Sequence, residues 1–216
     1  MKKLAIYGAG GHGRVVADTA SILGWQEIVF YDESWPQHQV NSIWPVVGNY
    51  DNLRTNLTKH DGVIVAFGNC TARLEKTREL SSLHAPIISL IHPNAFVSPN
   101  STLGQGSVVF AGAVINIEAK VGEASIINTG ATVDHDCIIG PGVHICPGAN
   151  LSGEIEVGEA SWIGVGSCVR HGIKIGANVM VGAGAIIVKD VPNGVTIVGV
   201  AASKINSELA KTNDIP

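Results

Sequence analysis

A chain of 216 residues with 14 Lys and Arg against 18 Asp and Glu has a formal net charge of −4. It can form one large domain or two small ones, and its acidic balance speaks against a nucleic-acid partner. Hydrophobic residues at 45% and charged residues at 15% exclude a disordered chain, and no run of about 18 apolar residues offers a helical membrane span.

The N-terminal segment MKKLAIYGAGGHG is basic, but its apolar stretch is too short for a secretion signal, so a cytoplasmic location is expected. LAIYG (Leu4–Gly8) reads as a strand, followed by a glycine-rich turn, Gly8 to Gly13. A helix is expected from Arg14 to Leu23, with Val15, Val16, Ala20 and Leu23 at helical spacing. EIVFYD (Glu27–Asp32) reads as a second strand ending in acid, and Trp35-Pro36 and Trp44-Pro45 mark a loop. VIVAFG (Val63–Gly68) is a third strand, Thr71 to Leu83 a helix, and PIISLI (Pro86–Ile91) a fourth strand. Alternating strands and helices imply a small Rossmann-like parallel sheet, an α/β domain over residues 1–92.

Beyond His92-Pro93 the pattern changes to a repeat. Every sixth residue from Val97 to Ile187 is aliphatic, sixteen positions in all. Small residues dominate four positions after each, and Gly104, Gly122, Gly140, Gly158 and Gly176 recur every eighteen residues. Such a period means a three-faced prism with one short strand per face and the aliphatics stacked inside. Those glycines are expected to relieve backbone strain at the corners. The coil is assigned to 93–191 and a tail to 192–216, with a helix around Lys204–Lys211. Twenty-six glycines beside 5% aromatics fit so thin an interior.

Gly8, Gly10 and Gly13 satisfy G-x-G-x-x-G between a strand and a helix, and Asp32 ends the next strand. Phosphate can approach such amides at a helix N-terminus. A nicotinamide domain needs two mononucleotide halves, and about 90 residues are too few. A nucleotide or nucleotide-sugar fits better, with His12 as an added donor. Gly68, Asn69 and Arg73 follow the third strand, where ligands of open parallel sheets sit; Asn69 could equally cap the helix.

In the coil, Asp134-His135-Asp136 places a histidine on an outer surface between two carboxylates, a pattern suited to a general base. His144 is one and a half hexapeptides further on, hence on another face. The two could meet only across a subunit interface, which argues for a threefold homo-oligomer. His171 raises a three-histidine zinc site, set aside because it is two coils from His135. Cys70, Cys137, Cys146 and Cys168 have no metal-ligand spacing and read as reduced, packed thiols.

These features resemble the hexapeptide-repeat sugar acetyltransferases with an N-terminal nucleotide-sugar domain, among them the bacillosamine and perosamine N-acetyltransferases and the sialic acid O-acetyltransferases. The resemblance is carried by YGAGGHG, by YDE at 31–33, by FGN at 67–69 with Arg73, and by VDHDCIIGPGVHICPGANLSG at 133–153. It implies a left-handed parallel β-helix and transfer of acetyl from acetyl-CoA to the amino group of a nucleotide-linked amino-deoxysugar, of UDP-4-amino-sugar or GDP-perosamine type, for bacterial glycan synthesis. Gly10, Gly11 and His12 would hold phosphates and sugar, Asp32 and Glu33 would meet the nucleoside, and Gly68 would lie against it. His135 would be the base, supported by Asp136. His144 with the backbone near Val165 and Ala183 would contact acetyl-CoA between subunits, and the Gly153 amide would face the oxyanion. A homotrimer without metal is implied. The family's Gly-x-Pro-Ala-Lys closing segment reads Gly199–Lys204 here and lacks its proline. The alternatives are sialic acid O-acetylation, which the same base would serve, a non-catalytic nucleotide-binding scaffold, and an oxidoreductase.

Overall fold

In a computed structural model, residues 2–199 are described; the expected helix at Lys204–Lys211 and nearly all of the Gly199–Lys204 segment lie outside them. The N-terminal unit holds β1 (Lys3–Tyr7), α1 (Gly11–Ile22), β2 (Glu27–Tyr31), β3 (Val40–Asn41), β4 (Trp44–Gly48), α2 (Tyr50–Thr55), β5 (Gly62–Val65) and α3 (Cys70–Ser82). Its sheet runs β3-β4-β2-β1-β5. It is parallel throughout except for the β3–β4 pair, which is antiparallel.

Two expectations need correction. The segment expected as a loop contains the β3–β4 hairpin, and Pro45 is accommodated on this short outer pair opposite Val40. The expected fourth strand at 86–91 divides. Ile87 makes a single bridge to Val63, and Leu90–Ile91 already pairs with Val108–Val109 of the coil.

The coil is built of two-residue strands in three parallel sheets of seven, six and five strands. One runs from Leu90–Ile91 to Thr196–Ile197, the second from Phe96–Val97 to Ile186–Ile187, the third from Thr102–Leu103 to Lys174–Ile175. Pairing follows the eighteen-residue offset, as in Ile115 with Val133 and Val133 with Leu151. The second residue of each strand points inward, so Ile115, Ile127, Val133, Ile139, Ile145 and their equivalents form one buried column. The coil therefore begins one strand before the expected boundary at residue 92. It also continues past 191. Val181 pairs with Ile197 and Ile175 with Val191, so the last turn is shorter by two residues.

The eighteen-residue glycines have a different cause from the one expected. None of Gly104, Gly122, Gly140, Gly158 and Gly176 has positive φ. A Cβ on Gly122 would lie 2.6 Å from the Pro141 nitrogen of the next coil, so close approach between coils demands the glycine. Positive φ falls two residues later, at Gly106, Ala124, Gly142, Ala160 and Asn178.

The N-terminal unit covers the first prism face. Leu4, Ile6, Val16, Ala17 and Phe30 share a buried cluster with Leu90, Val108, Phe110 and Ile126. At the edge, Arg78 bridges Glu123 and Glu159, which stand two coils apart.

Candidate active site

Three strand ends of the N-terminal unit converge beside the coil. Gly8 has φ +116, and a Cβ on Gly13 would collide with the Gly8 carbonyl, so those two glycines serve the turn itself. Gly10, Gly11 and Gly68 are different. All three are exposed, none has positive φ, and a Cβ on Gly10 or Gly68 would meet nothing within 4 Å. Packing does not require glycine there, so the bare backbone is open to a ligand. Asp32 closes the turn: its Oδ2 accepts from the Ala9 N–H at 2.7 Å and its Oδ1 from Ser34 N–H and Oγ–H. Burial opposes ionisation, but these hydrogen bonds outweigh it and hold the carboxyl below its ordinary range. Glu33 accepts from Tyr7 Oη–H and the Tyr50 N–H. Next to this turn lies a pocket of about 330 Å³ lined by Arg14, Ser34, His38, Asn41 and neighbours.

Two expected ligand residues, Arg73 and His12, are placed otherwise, and Asn69 has a second role. Arg73 is 1% exposed. Its guanidinium donates to the carbonyls of Ala124 and Gly142 in the coil, each at 2.7 Å, and of Phe67 at 2.8 Å. It clamps the two units together and has no face open to a substrate. Asn69 caps α3 through Oδ1, accepting from the Ala72 N–H at 2.9 Å, and remains exposed beside Gly68, so the cap leaves its ligand role open. The ring of His12 lies against the coil, edge-on to Phe110 and 6.3 Å from His144, with its Nε2 buried and unpaired. The turn itself offers backbone amides at Gly10 and Gly11.

His144 also departs from expectation. Its position in the repeat is outward, but the N-terminal unit covers that face and leaves it 4% exposed. It packs on Trp162 with rings 4.3 Å apart and contacts Asn128 Nδ2 through Nε2. Burial, reinforced by the Arg73 charge, lowers His12 to about 4 and His144 to about 3, so both are neutral at physiological pH. A coenzyme contact through an exposed His144 side chain is thus not available on the free surface of this chain. Beside it, a groove of about 380 Å³ runs between Gly68, Asn69 and Thr71 on one side and Trp162 and Met180 on the other.

His135 stands where the repeat places it, on the corner between the second and third faces, exposed. Its Nδ1 is 2.7 Å from Asp136 Oδ2, and its backbone N–H donates to Asp134 Oδ1, which also accepts from Asn116. Asp136 adopts φ 58, a conformation short polar residues tolerate. The hydrogen bond that Nδ1–H donates to Asp136, with the charges of Asp134, Asp136 and Glu154, raises the basicity of His135. With Nδ1–H held by Asp136, Nε2 is left as the proton acceptor.

Gly153 occupies the same corner one coil on. A Cβ there would lie 2.5 Å from His135 Nε2, so the glycine makes room for the imidazole. The Gly153 N–H has no hydrogen-bond partner among the described residues. His171 holds this corner one coil further, and its ring centroid is 6.4 Å from that of His135. Two coils do not keep these rings apart, because the position between them has no side chain. Even so, among the described residues no group of three or more His, Cys, Asp or Glu is arranged to hold a metal. Val165 and Ala183 are exposed on the corner between the first and second faces, stacked through the Gly184 N–H to Val165 carbonyl bond. That edge is not the His135 edge, so one chain does not bring them together. No helix among the described residues is long and apolar enough to cross a membrane.

Residues 3–80 match the family described as the PglD N-terminal domain. The acetyltransferase domain of PglB from Neisseria gonorrhoeae FA1090, solved in complex with acetyl coenzyme A, is 44% identical. The match covers 92% of this chain and 96% of that one, with a TM-score of 0.88. PerB from Caulobacter crescentus, solved with CoA and GDP-perosamine, is 36% identical over 94% of this chain and 97% of that one, with a TM-score of 0.87. A UDP-N-acetylbacillosamine N-acetyltransferase of Bacillus subtilis (strain 168) is 34% identical over 118 residues, 51% of this chain. That match spans 52% of the curated relative, about half its length.

Proposed function

The chain belongs to the hexapeptide-repeat sugar acetyltransferases that carry an N-terminal nucleotide-sugar domain, and from that premise we propose that it transfers acetyl from acetyl-CoA to the amino group of a nucleotide-linked amino-deoxysugar. The carrying observation is His135, an exposed imidazole whose Nδ1 is held 2.7 Å from Asp136 while Nε2 faces the open notch at Gly153. An amine must shed a proton to attack a thioester, and this geometry supplies the acceptor. Nε2 of His135 takes the proton as nitrogen attacks the carbonyl, then returns it to the departing thiolate. The unpaired Gly153 N–H is the donor for the developing oxyanion. Cys137 and Cys146 are buried, and burial raises both thiols, Cys146 to about 12, so neither is a nucleophile for a covalent intermediate.

The acceptor's nucleotide binds across Gly10, Gly11 and Gly68, with its nucleoside toward Asp32 and the pocket beside Ser34 and Asn41. A nucleotide acceptor explains glycines that packing does not need and favours this reading over sialic acid, which carries no diphosphate. The PglB and PerB relatives, solved with acetyl coenzyme A and with CoA and GDP-perosamine, support the same substrate pair. Because the His135 edge and the Val165–Ala183 edge are separate, the coenzyme lies between neighbouring protomers of a homotrimer. The reaction is placed in the cytoplasm, where acetyl-CoA and nucleotide-sugars are made.

Thiol release from acetyl-CoA, followed with UDP-4-amino-sugars, GDP-perosamine and free sialic acid as acceptors, tests the assignment. Turnover with a nucleotide-amino-sugar supports it; turnover with sialic acid alone overturns it. Light scattering that shows an active monomer would remove the intersubunit site.

A further inference from the structure

Positions 135, 153 and 171 form one column along a prism edge, and only the middle one is bare. The His135 ring leans over Gly153, with Nε2 on the glycine side. His171 leans back from the other side, bringing the rings to 6.4 Å at a 48° tilt. Coils spaced about 4.8 Å apart would otherwise separate these positions by about 9.6 Å. Nε2 of His171 is 3.6 Å from Glu154 Oε2, longer than the 2.7 Å hydrogen bond of His135 to Asp136 but close enough to pair the charges once His171 is protonated.

An amine acceptor that arrives as an ammonium must lose two protons from nitrogen, one before attack and one during it. His135 has one free acceptor atom. We propose that His171, backed by Glu154, receives the first of these protons from His135 through water and passes it to solvent. This rests on the reading of His135 as base and of the acceptor as an amine. The ammonium gives one proton to His135 Nε2, which relays it to His171 and out past Glu154. The neutral amine then attacks the acetyl carbonyl; the nitrogen–carbon bond forms and the carbon–sulfur bond breaks. The second proton goes to His135 and from there to the thiolate. Ammonium and acetyl thioester thus yield amide, thiol and one proton released to solvent.

The charged groups acting on His135 are Asp134 and Asp136 on its own corner and Glu154 on the next. Those around His171 are Glu154 and His135, with Arg170 preceding it in the chain and Lys189 at the equivalent position one coil on. His171 touches neither reactant in this scheme; it is a positioning residue that acts through His135.

The test is turnover from pH 6 to 10 for the wild type, His171→Ala, His171→Gln and Glu154→Gln, with His135→Ala in parallel. Both His171 variants should lose roughly tenfold at pH 7, less than the loss of a direct base. Their deficit should close above the pKa of the acceptor amine, where only one proton must leave, and added imidazole should restore part of the rate at pH 7. Glu154→Gln should show a smaller deficit with the same pH dependence. A deficit constant across pH, or none, overturns the relay while an inactive His135→Ala leaves the base assignment standing. An active His135→Ala overturns both.

Discussion

Gly153 and His135 occupy successive coils of one prism edge, and the bare Cα of the glycine is what admits the imidazole: a Cβ at 153 would lie 2.5 Å from Nε2 and 3.0 Å from Nδ1. Gly153 has no positive φ, so alanine fits its backbone. Gly153→Ala should therefore keep the fold and push the ring off Asp136. A displacement near 1 Å can cost about 100-fold, so kcat should fall on that scale while the melting temperature barely moves. Steady-state kinetics beside a circular-dichroism melt would show it; unchanged kcat would mean the ring does not depend on this notch.

Arg73 should behave as a structural clamp. Arg73→Met removes the donor to the carbonyls of Ala124, Gly142 and Phe67 and leaves buried acceptors unpaired. Stability should drop by about 3 kcal/mol or more. In the protein that still folds, the acceptor KM should stay within about twofold. Denaturant midpoints and KM are the readouts, and a large KM change with normal stability would return Arg73 to the substrate site.

Asp32 should act on the acceptor alone. Asp32→Ala frees the Ala9 N–H and Ser34, loosening the turn that carries Gly10 and Gly11. The acceptor KM should rise roughly tenfold or more, with the acetyl-CoA KM nearly unchanged. The reverse split would place the coenzyme in the N-terminal unit.

His12 and His144 make the fold acid-sensitive. Their values are lowered to about 4 and about 3, against about 6.5 in an unfolded chain. Between those limits the unfolded state binds protons that the folded state refuses, so stability falls as pH falls below about 6.5. The melting temperature should decline from pH 6.5 to 4.5. His144→Gln should flatten that decline, whatever it does to stability at pH 8. An equally steep slope in the variant would show that other groups cause it.

Much of this architecture is legible in the residues. The sixteen aliphatics set the coil register because the prism has only one inward position per strand, and Asp134-His135-Asp136 stands out on a charge-poor repeat. The last turn escapes the six-residue step because it is two residues short, which moves the aliphatic to Ile197. The β3–β4 hairpin is hidden by Trp-Pro pairs that read as loop. Arg73 resembles a ligand residue because its coil partners lie 51 and 69 residues away. His144 reads as exposed because nothing local reveals that another unit covers its face. The approach of His171 to His135 does have a signal: the eighteen-residue step places both in one column with a glycine between.

The proposed chemistry rests on His135, and His135→Ala assayed with acetyl-CoA and a nucleotide-linked amino-sugar tests it most directly. The outward corner position leaves little packing to lose, so the variant should melt within a few degrees of the wild type. Its kcat should be lower by about two to four orders of magnitude, the usual contribution of a general base. A His135→Ala protein that folds and turns over at a near-normal rate would contradict the assignment of His135 as the group that takes the proton.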